Sequence, residues 1–189
     1  IADVPGLVEG ASEGAGLGIR FLKHLTRTRF LLHMVDMLPA DGSDPLENAR
    51  TIQNELLNFS ATLAERPRWL VLNKMDLLPE EDRDAICQQL IADLQWQGPV
   101  FFVSALTKEG TDKLCNDICD YLEDCRSREA ELPEVAQAER DMQSRMQLEA
   151  REQIEKLRLQ RQQVKTAEQE PEDEDDEDDD HEVEVVYSP

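Results

Sequence analysis

The residues with the clearest chemical role form the tetrad Asn73-Lys74-Met75-Asp76, which directly follows the apolar run WLVL. In a loop after a buried strand, the Asp76 carboxylate can accept hydrogen bonds from both the N1–H and the exocyclic amino group of guanine. Adenine lacks this donor pair and would leave a buried carboxylate unpaired, which disfavours it. Asn73 can tie the loop together and reach the purine edge, while the Lys74 stem can lie across the base. The tetrad therefore predicts a guanine-specific loop.

A second polar segment, Ser104-Ala105-Leu106, follows the next apolar run of the sequence. The small Ala105 side chain lets the backbone approach a ligand closely, and the Ala105 N–H is expected to point at guanine O6. We expect these three residues to complete the base site together with residues 73–76.

A third segment, Asp3-Val4-Pro5-Gly6, stands at the start of the chain. An aspartate at a strand end can hold Mg²⁺, usually through a water, and the Gly6 N–H can bond a γ-phosphate oxygen. Loss of that phosphate would free the loop, which the glycines at 10, 14, 16 and 18 leave conformationally unrestricted. A plain surface loop ahead of a helix would explain one or two of these glycines, but not the Asp-x-x-Gly spacing ahead of the two other segments.

Alternating apolar runs and amphipathic stretches must position these segments. Strands are predicted at 30–37, 68–76 and 99–106, and helices at 18–29, 43–59, 80–96 and 110–125. Such alternation favours an α/β fold with a mainly parallel sheet, in which ligands bind at the carboxyl ends of the strands. All three polar segments fall at such ends. His33, within an apolar run, is expected to be a core residue.

The charge of the chain is concentrated at its end. The 189 residues contain 42 acidic and 20 basic side chains, and 13 of the acidic ones lie in residues 168–189, where no Lys or Arg occurs. We expect this acidic tail to be disordered, because its burial is nil and its self-repulsion high. A generally basic nucleic-acid-binding surface is excluded. No apolar run approaches the roughly 20 residues needed to cross a bilayer.

Residues 134–164 are rich in Glu, Gln, Arg and Met and carry a thin apolar stripe at helical spacing, formed by Met142, Met146, Ala150, Ile154, Leu157 and Val164. The stripe is too narrow for a globular core, so a long solvated helix is predicted, with docking on a partner as one alternative and i,i+4 ion pairs alone as the other. The predicted organisation is a domain of residues 1–125, a linker and charged helix of residues 126–167, and a tail of residues 168–189.

Four cysteines, Cys87, Cys115, Cys119 and Cys125, form no CxxC pair, so reduced cytosolic thiols are expected. Cys115 and Cys119 lie four residues apart on one predicted helix and could hold a metal. The favoured interpretation is that both act as small apolar residues beside Leu114, Ile118 and Leu122.

The order DxxG, NKxD, SA is that of the third, fourth and fifth motifs of P-loop GTPases, and the run DVPGLVEGASEGAGLGIRFLKHLTRTR closely resembles the Obg family. The resemblance covers roughly residues 1–125. It implies a P-loop GTPase-type fold, GTP or GDP and Mg²⁺ as ligands, and a factor that assists maturation of the large ribosomal subunit. A cytoplasmic monomer that contacts rRNA and ribosomal proteins, with a link to ppGpp and the stringent response, is also implied.

Two departures from the resemblance matter. No GxxxxGK[ST] loop occurs in the sequence, so the chain is expected to be the back part of a larger GTPase, lacking one central strand and inactive by itself. Leu7 stands where Ras-type GTPases carry the glutamine that orients water. No catalytic residue is therefore assigned. Hydrolysis is expected to depend on a monovalent cation, a partner or another group, with Glu9, Glu13 and His24 as weaker candidates.

Two functions from different classes fit these observations. One is a GTPase switch that hydrolyses GTP to GDP and phosphate. The other is an interaction module whose acidic tail and long helix compete for basic partners, with nucleotide binding serving only as a sensor. An ATPase conflicts with Asp76.

Overall fold

Three of the apolar runs form one parallel sheet. The computed structural model of the protein describes residues 26–167. Within them β1 is Leu31–Asp36, β2 is Arg68–Asn73 and β3 is Val100–Phe102, in the spatial order β1-β2-β3. Both pairings are parallel, and the register places Asp36 beside Asn73 at the carboxyl ends. The predicted α/β class with a parallel sheet is therefore confirmed for this part of the chain.

Helices connect and flank these strands. Their bounds are α1 Pro45–Phe59, α2 Ala61–Ala64, α3 Glu80–Asp93, α4 Thr111–Glu131 and α5 Pro133–Ala167. The start of α1 is as predicted: Asp44 caps the helix by accepting a hydrogen bond from the Leu46 N–H at 3.0 Å, and Pro45 occupies the first position. The short α2 was not anticipated from the sequence.

Several element ends differ from the predicted ones. Strand 68–76 stops at Asn73, because Lys74 adopts a left-handed conformation, with φ 67° and ψ 33°. Strand 99–106 is reduced to β3, because the chain turns after Val103 and the Ser104 N–H bonds the Glu109 carbonyl at 3.0 Å. Of the predicted helix 18–29, the described residues 26–29 form turns and bends rather than a helix.

The core packs against both faces of the sheet. On one face, Leu70 and Leu72 of β2 lie in a buried cluster with residues of α1 and α3, including Ala49 and Leu90. On the other face, Trp69, Val71, Phe101 and Val103 pack with Leu114 of α4. The continuous apolar pattern of β2 reflects this burial on both sides.

His33 is a buried core residue, as predicted, and its ring meets the Trp96 ring edge-on with centroids 5.8 Å apart. Burial, together with the nearby positive charge of Arg68, lowers the His33 pKa from 6.5 to about 4. Neither ring nitrogen has a hydrogen-bond partner within the described residues. The imidazole is therefore neutral at physiological pH.

The first part of α5 is not the solvated helix that the sequence predicted. Met146 is 0% and Ala150 1% exposed, and both pack with Leu56 and Phe59 of α1 and with other members of one buried cluster, Leu31 and Leu63. A thin stripe is sufficient here because the corner between α1 and α2 supplies the rest of the apolar contact. The part of the stripe formed by Met142, Met146 and Ala150 therefore docks within the chain.

Polar contacts reinforce this docking. The Glu149 carboxylate accepts hydrogen bonds from the Ser60 hydroxyl at 2.5 Å, the Thr62 hydroxyl at 2.5 Å and the Thr62 N–H at 3.1 Å. Burial works to raise the Glu149 pKa, but these hydrogen bonds outweigh it, so the pKa lies below its ordinary value. Glu149 thereby caps α2 from another helix.

By its contacts the chain divides into a unit of residues 1–155 and a unit of residues 156–189. In the second unit the structure describes residues 156–167, which are helical. The predicted boundaries at 125 and 167 stay predictions, and the predicted acidic tail lies outside the described residues. None of the helices within residues 26–167 is both long and apolar enough to cross a membrane.

All four cysteines are free thiols. Cys87 is buried, whereas Cys115 and Cys119 are exposed on α4, so the interpretation of that pair as packed apolar residues was wrong. The residues that face the core are their neighbours, buried Leu114 and half-buried Ile118, each one residue earlier and therefore about 100° around the helix axis.

Candidate functional site

The tetrad 73–76 forms a tight turn at the carboxyl end of β2. Met75 is buried, and its N–H donates to the Val103 carbonyl at 3.2 Å, which fixes the turn to the end of β3. Residues Met75–Leu77 make one 3₁₀ turn, entered through the left-handed Lys74. With Met75 anchored, the side chains of Lys74 and Asp76 are half-buried at the edge of the sheet.

Asn73 ties the loop to its neighbours, as predicted. Its Oδ1 accepts a hydrogen bond from the Ala105 N–H at 3.1 Å, and its Nδ2 donates to Asp36 Oδ1 at 3.0 Å. The hydrogen bond from the Ala105 N–H joins the segments 73–76 and 104–106. The predicted contact of this N–H with guanine O6 stays a prediction.

Lys74 reaches back to the end of β1. Its Nζ donates to the Leu38 carbonyl at 3.1 Å and lies 3.0 Å from Asp36 Oδ2. The ammonium is thereby held at one place while the four-carbon stem bridges from its own loop to the neighbouring strand.

Asp76 differs from its neighbours in the tetrad. Its carboxylate is half-buried, and within residues 26–167 it has no hydrogen-bond or ion-pair partner. A carboxylate in such a position favours a ligand that supplies two N–H donors. Its predicted contact with the guanine edge stays a prediction.

The loop after β3 is held internally. Ser104 is fully buried, and its hydroxyl oxygen accepts a hydrogen bond from the Thr107 N–H at 3.1 Å. Gly110 ends the loop with φ 72°, a conformation that glycine adopts without strain. Leu106 is exposed, so its side chain is free to contact a ligand or solvent.

An open groove of about 560 Å³ lies beside this loop cluster, at the carboxyl end of β1 and along α1. Its charged lining residues are Asp36, Asp41 and Lys74. Hydrogen bonds from the Ser43 N–H and hydroxyl to the Asp41 carboxylate lower the Asp41 pKa. Among the described residues, Lys74 is thus the one basic side chain in a groove that also contains two carboxyl groups.

The structure thus brings together Asn73, Lys74 and Ala105, with Ser104 and Asp76 on the same edge. Sequence reasoning missed Asp36 and the Leu38 carbonyl, although an acidic residue at the end of an apolar run was a usable signal. The other predicted site residues, Asp3, Val4, Pro5, Gly6, Leu7, Glu9, Glu13 and His24, lie outside the described residues.

No group of three or more His, Cys, Asp or Glu side chains in the described part of the chain is arranged to hold a metal ion. The predicted Mg²⁺ contact, Asp3, is not among those residues. The magnesium assignment therefore stays a prediction.

Residues 1–74 match the family model of the 50S ribosome-binding GTPase. The match covers less than half of the chain and ends at Lys74, the second residue of the tetrad. Together with the three-stranded parallel sheet flanked by helices, it is consistent with a partial P-loop GTPase fold. This part of the chain is similar to a GTP-binding, ribosome-linked GTPase.

Proposed function

We propose that the protein is a guanine-nucleotide switch of the Obg type, which hydrolyses GTP to GDP and phosphate. The observation that carries the proposal is the loop cluster, in which Asn73 joins the tetrad to Ala105 while the Asp76 carboxylate remains without a partner among the described residues. This arrangement offers an acceptor pair to a purine with two adjacent donors, and guanine is that purine.

The phosphate chemistry rests on the sequence. Asp3 would hold Mg²⁺ through a water, and the Gly6 N–H would contact the γ-phosphate, with Val4 and Pro5 shaping the loop. Leu7 has no polar group with which to orient water. Hydrolysis therefore depends on a further group, and a monovalent cation near the phosphates is the candidate.

The experiment that tests the base site is Asp76→Asn in the full-length gene product. The substitution replaces an acceptor pair by one donor and one acceptor, so GDP binding should weaken by about 5- to 150-fold, corresponding to about 1–3 kcal/mol. Xanthosine diphosphate, which presents an acceptor where guanine presents its amino group, should bind more tightly than before. Titration calorimetry with both nucleotides measures whether the binding preference moves from GDP to xanthosine diphosphate.

The matched control is Asp82→Asn, the same substitution on the exposed first turn of α3. It should leave both affinities unchanged. Unaltered GDP affinity in Asp76→Asn would refute the assignment of the tetrad to guanine recognition.

Residues 1–189 alone, which contain no GxxxxGK[ST] loop, should show no GTP hydrolysis.

The proposed setting is the cytoplasm and the proposed partner is the large ribosomal subunit, whose maturation the switch assists. The family description of residues 1–74 as a 50S ribosome-binding GTPase supports this. A response to ppGpp is a further element of the proposal, since ppGpp carries the same guanine base. Binding as a monomer is proposed.

The second candidate, an interaction module, is favoured by the acidic tail. Residues 168–189 carry 13 acidic and no Lys or Arg residues, so their direct contact with bare RNA would be repulsive. If the protein acts as a nucleotide switch on the ribosome, deleting the tail should leave GDP affinity unchanged. Subunit co-sedimentation should hold or rise slightly, most visibly at low salt. A large loss of co-sedimentation at every salt concentration would instead support the interaction module.

A further inference from the structure

Asp36, the last residue of β1, contacts two members of the tetrad with its two carboxylate oxygens. Oδ1 accepts from Asn73 Nδ2 at 3.0 Å, and Oδ2 lies 3.0 Å from Lys74 Nζ. We propose that Asp36 is a positioning residue for guanine recognition, acting through Asn73 and Lys74. The proposal rests on the guanine-nucleotide function proposed above.

The carboxylate determines which way the Asn73 amide faces. The carboxylate oxygen Oδ1 accepts its hydrogen bond from Asn73 Nδ2, so the NH₂ group of Asn73 faces Asp36. The amide oxygen then faces the Ala105 N–H, which it accepts at 3.1 Å. One Nδ2 hydrogen is used on Asp36, and the second remains for an acceptor on a purine edge. Without Asp36, only the Ala105 N–H would still disfavour the opposite orientation of the amide, so the Asn73 side chain would be less firmly oriented.

The same carboxylate holds the Lys74 side chain in place. Its Nζ is shared between Asp36 Oδ2 and the Leu38 carbonyl, both of which belong to the end of β1. Because the stem starts at the left-handed Lys74 backbone and ends at this fixed point, its path is set at both ends. A base lying on the stem would meet a preformed surface rather than a mobile chain.

Stability does not account for this arrangement. The Asp36 side chain is 44% and the Lys74 side chain 28% exposed. Ion pairs at such exposure contribute little to folding, since water screens them. The register of β1 against β2, which places Asp36 beside Asn73, is secured by the buried residues of both strands. Loss of Asp36 should therefore appear in ligand binding and not in unfolding.

The test measures binding of GDP to the full-length gene product by titration calorimetry. Asp36→Ala should raise the dissociation constant for GDP by about 5- to 30-fold, the effect expected for losing oriented charge-assisted hydrogen bonds. The dissociation constant of Asp36→Asn should lie between those of wild type and Asp36→Ala. The introduced amide oxygen can still accept a hydrogen bond from Asn73, while the ion pair with Lys74 is lost. The urea unfolding midpoint should stay at the wild-type value in both variants.

Asp120→Ala is the matched control. It removes an equal charge from an exposed position of α4 that lies outside the groove and the tetrad. Its GDP affinity should equal that of wild type. In a Lys74→Ala background, Asp36→Ala should raise the dissociation constant for GDP by a smaller factor than in wild type. Lys74, one of the two residues through which Asp36 acts, is already absent there.

The outcomes separate this inference from the proposed function. If wild type binds GDP and Asp76→Asn exchanges guanine for xanthine, but Asp36→Ala binds GDP as tightly as wild type, only the positioning role is overturned. The role is also overturned if Asp36→Ala has an undiminished effect in the Lys74→Ala background. If wild type binds no guanine nucleotide, the proposed function and the inference fail together.

Discussion

Arg66 and Glu139 form a two-pronged ion pair that joins the turn before β2 to α5, with Nη1–Oε2 at 2.6 Å and Nη2–Oε1 at 2.5 Å. Arg66 is buried, and the Glu139 carboxylate also contacts Arg29 at 3.0 Å and accepts from Gln143 at 2.8 Å. Burial acts to raise the Glu139 pKa, but these partners outweigh it and leave the pKa below its ordinary value. The ion pair therefore holds α5 against the rest of the domain, as Met146 and Ala150 of the same helix do by apolar packing.

Removing the arginine should therefore destabilise the protein. Arg66→Met leaves the Glu139 carboxylate partly buried without its main partner, and we expect a loss of about 2–3 kcal/mol in the free energy of unfolding. This is below the 3–5 kcal/mol typical of a broken, fully buried pair, because Arg29 remains. Urea denaturation followed by circular dichroism measures it.

Arg140→Met, the same substitution on the exposed face of α5, is the control and should change the unfolding free energy by less than about 0.5 kcal/mol. In the double variant Arg66→Met/Glu139→Leu, part of the loss should be recovered, since no unpaired charge remains. A double variant less stable than Arg66→Met would contradict this account.

The apolar side of the docking can be tested separately with two residues of the same helix. Met146 is 0% exposed, whereas Leu148 is 57% exposed. Met146→Ala should cost about 2–5 kcal/mol of unfolding free energy, since it opens a cavity against Phe59 and Leu63. Leu148→Ala should cost less than about 0.5 kcal/mol. Equal costs in the two variants would mean that this stretch is solvated, as the sequence alone suggested.

How far the sequence predicts this molecule depends on the range of the interactions involved. The buried strands, the Asp44 cap and the tetrad 73–76 were predictable, because apolar runs, capping residues and short motifs are local. The docking of α5 was not, since a narrow apolar stripe containing Met146 does not specify whether another surface covers it, or which one does. The Asp36–Asn73 contact joins residues 37 apart and depends on strand register, which no local pattern specifies.

Buried His33 should make stability depend on pH. Its pKa is about 4 in the folded protein against 6.5 as the ordinary value, so the unfolded chain binds a proton first as the pH falls. Stability is therefore fully present above pH 6.5 and is lost between there and about pH 4, by up to about 3 kcal/mol. Urea midpoints measured from pH 8 to pH 4 follow this loss.

His33→Phe removes the titrating group while keeping an aromatic ring against Trp96. Its stability should vary much less between pH 6.5 and pH 4.5 than that of wild type. Glu139 and Glu149 are two partly buried carboxylates with a lowered pKa. They stabilise the fold above their ordinary pKa of 4.5 and lose that effect below it, so they act in a more acidic range than His33. An unchanged slope in His33→Phe would show that other groups cause the pH dependence.

Two glycines near the site have similar backbone angles but different surroundings, so substituting each by alanine distinguishes the cost of conformational strain from the cost of a steric clash. Gly110 has φ 72° and Gly42 has φ 74°. An added Cβ would lie 2.2 Å from the Phe102 carbonyl oxygen at Gly110, whereas at Gly42 it would lie more than 4 Å from any non-neighbouring group within residues 26–167. Gly42→Ala should therefore cost about 1 kcal/mol, from the left-handed conformation alone.

Gly110→Ala carries the same strain and must also move the loop that begins at Ser104, because the obstructing oxygen belongs to the backbone of β3. We expect a loss of at least about 2 kcal/mol in unfolding free energy. If the proposed guanine site is correct, GDP should also bind more weakly, since Ala105 and its partner Asn73 are displaced together, while Gly42→Ala should bind GDP normally. Equal losses of stability in the two variants would show that the Phe102 carbonyl does not constrain the loop.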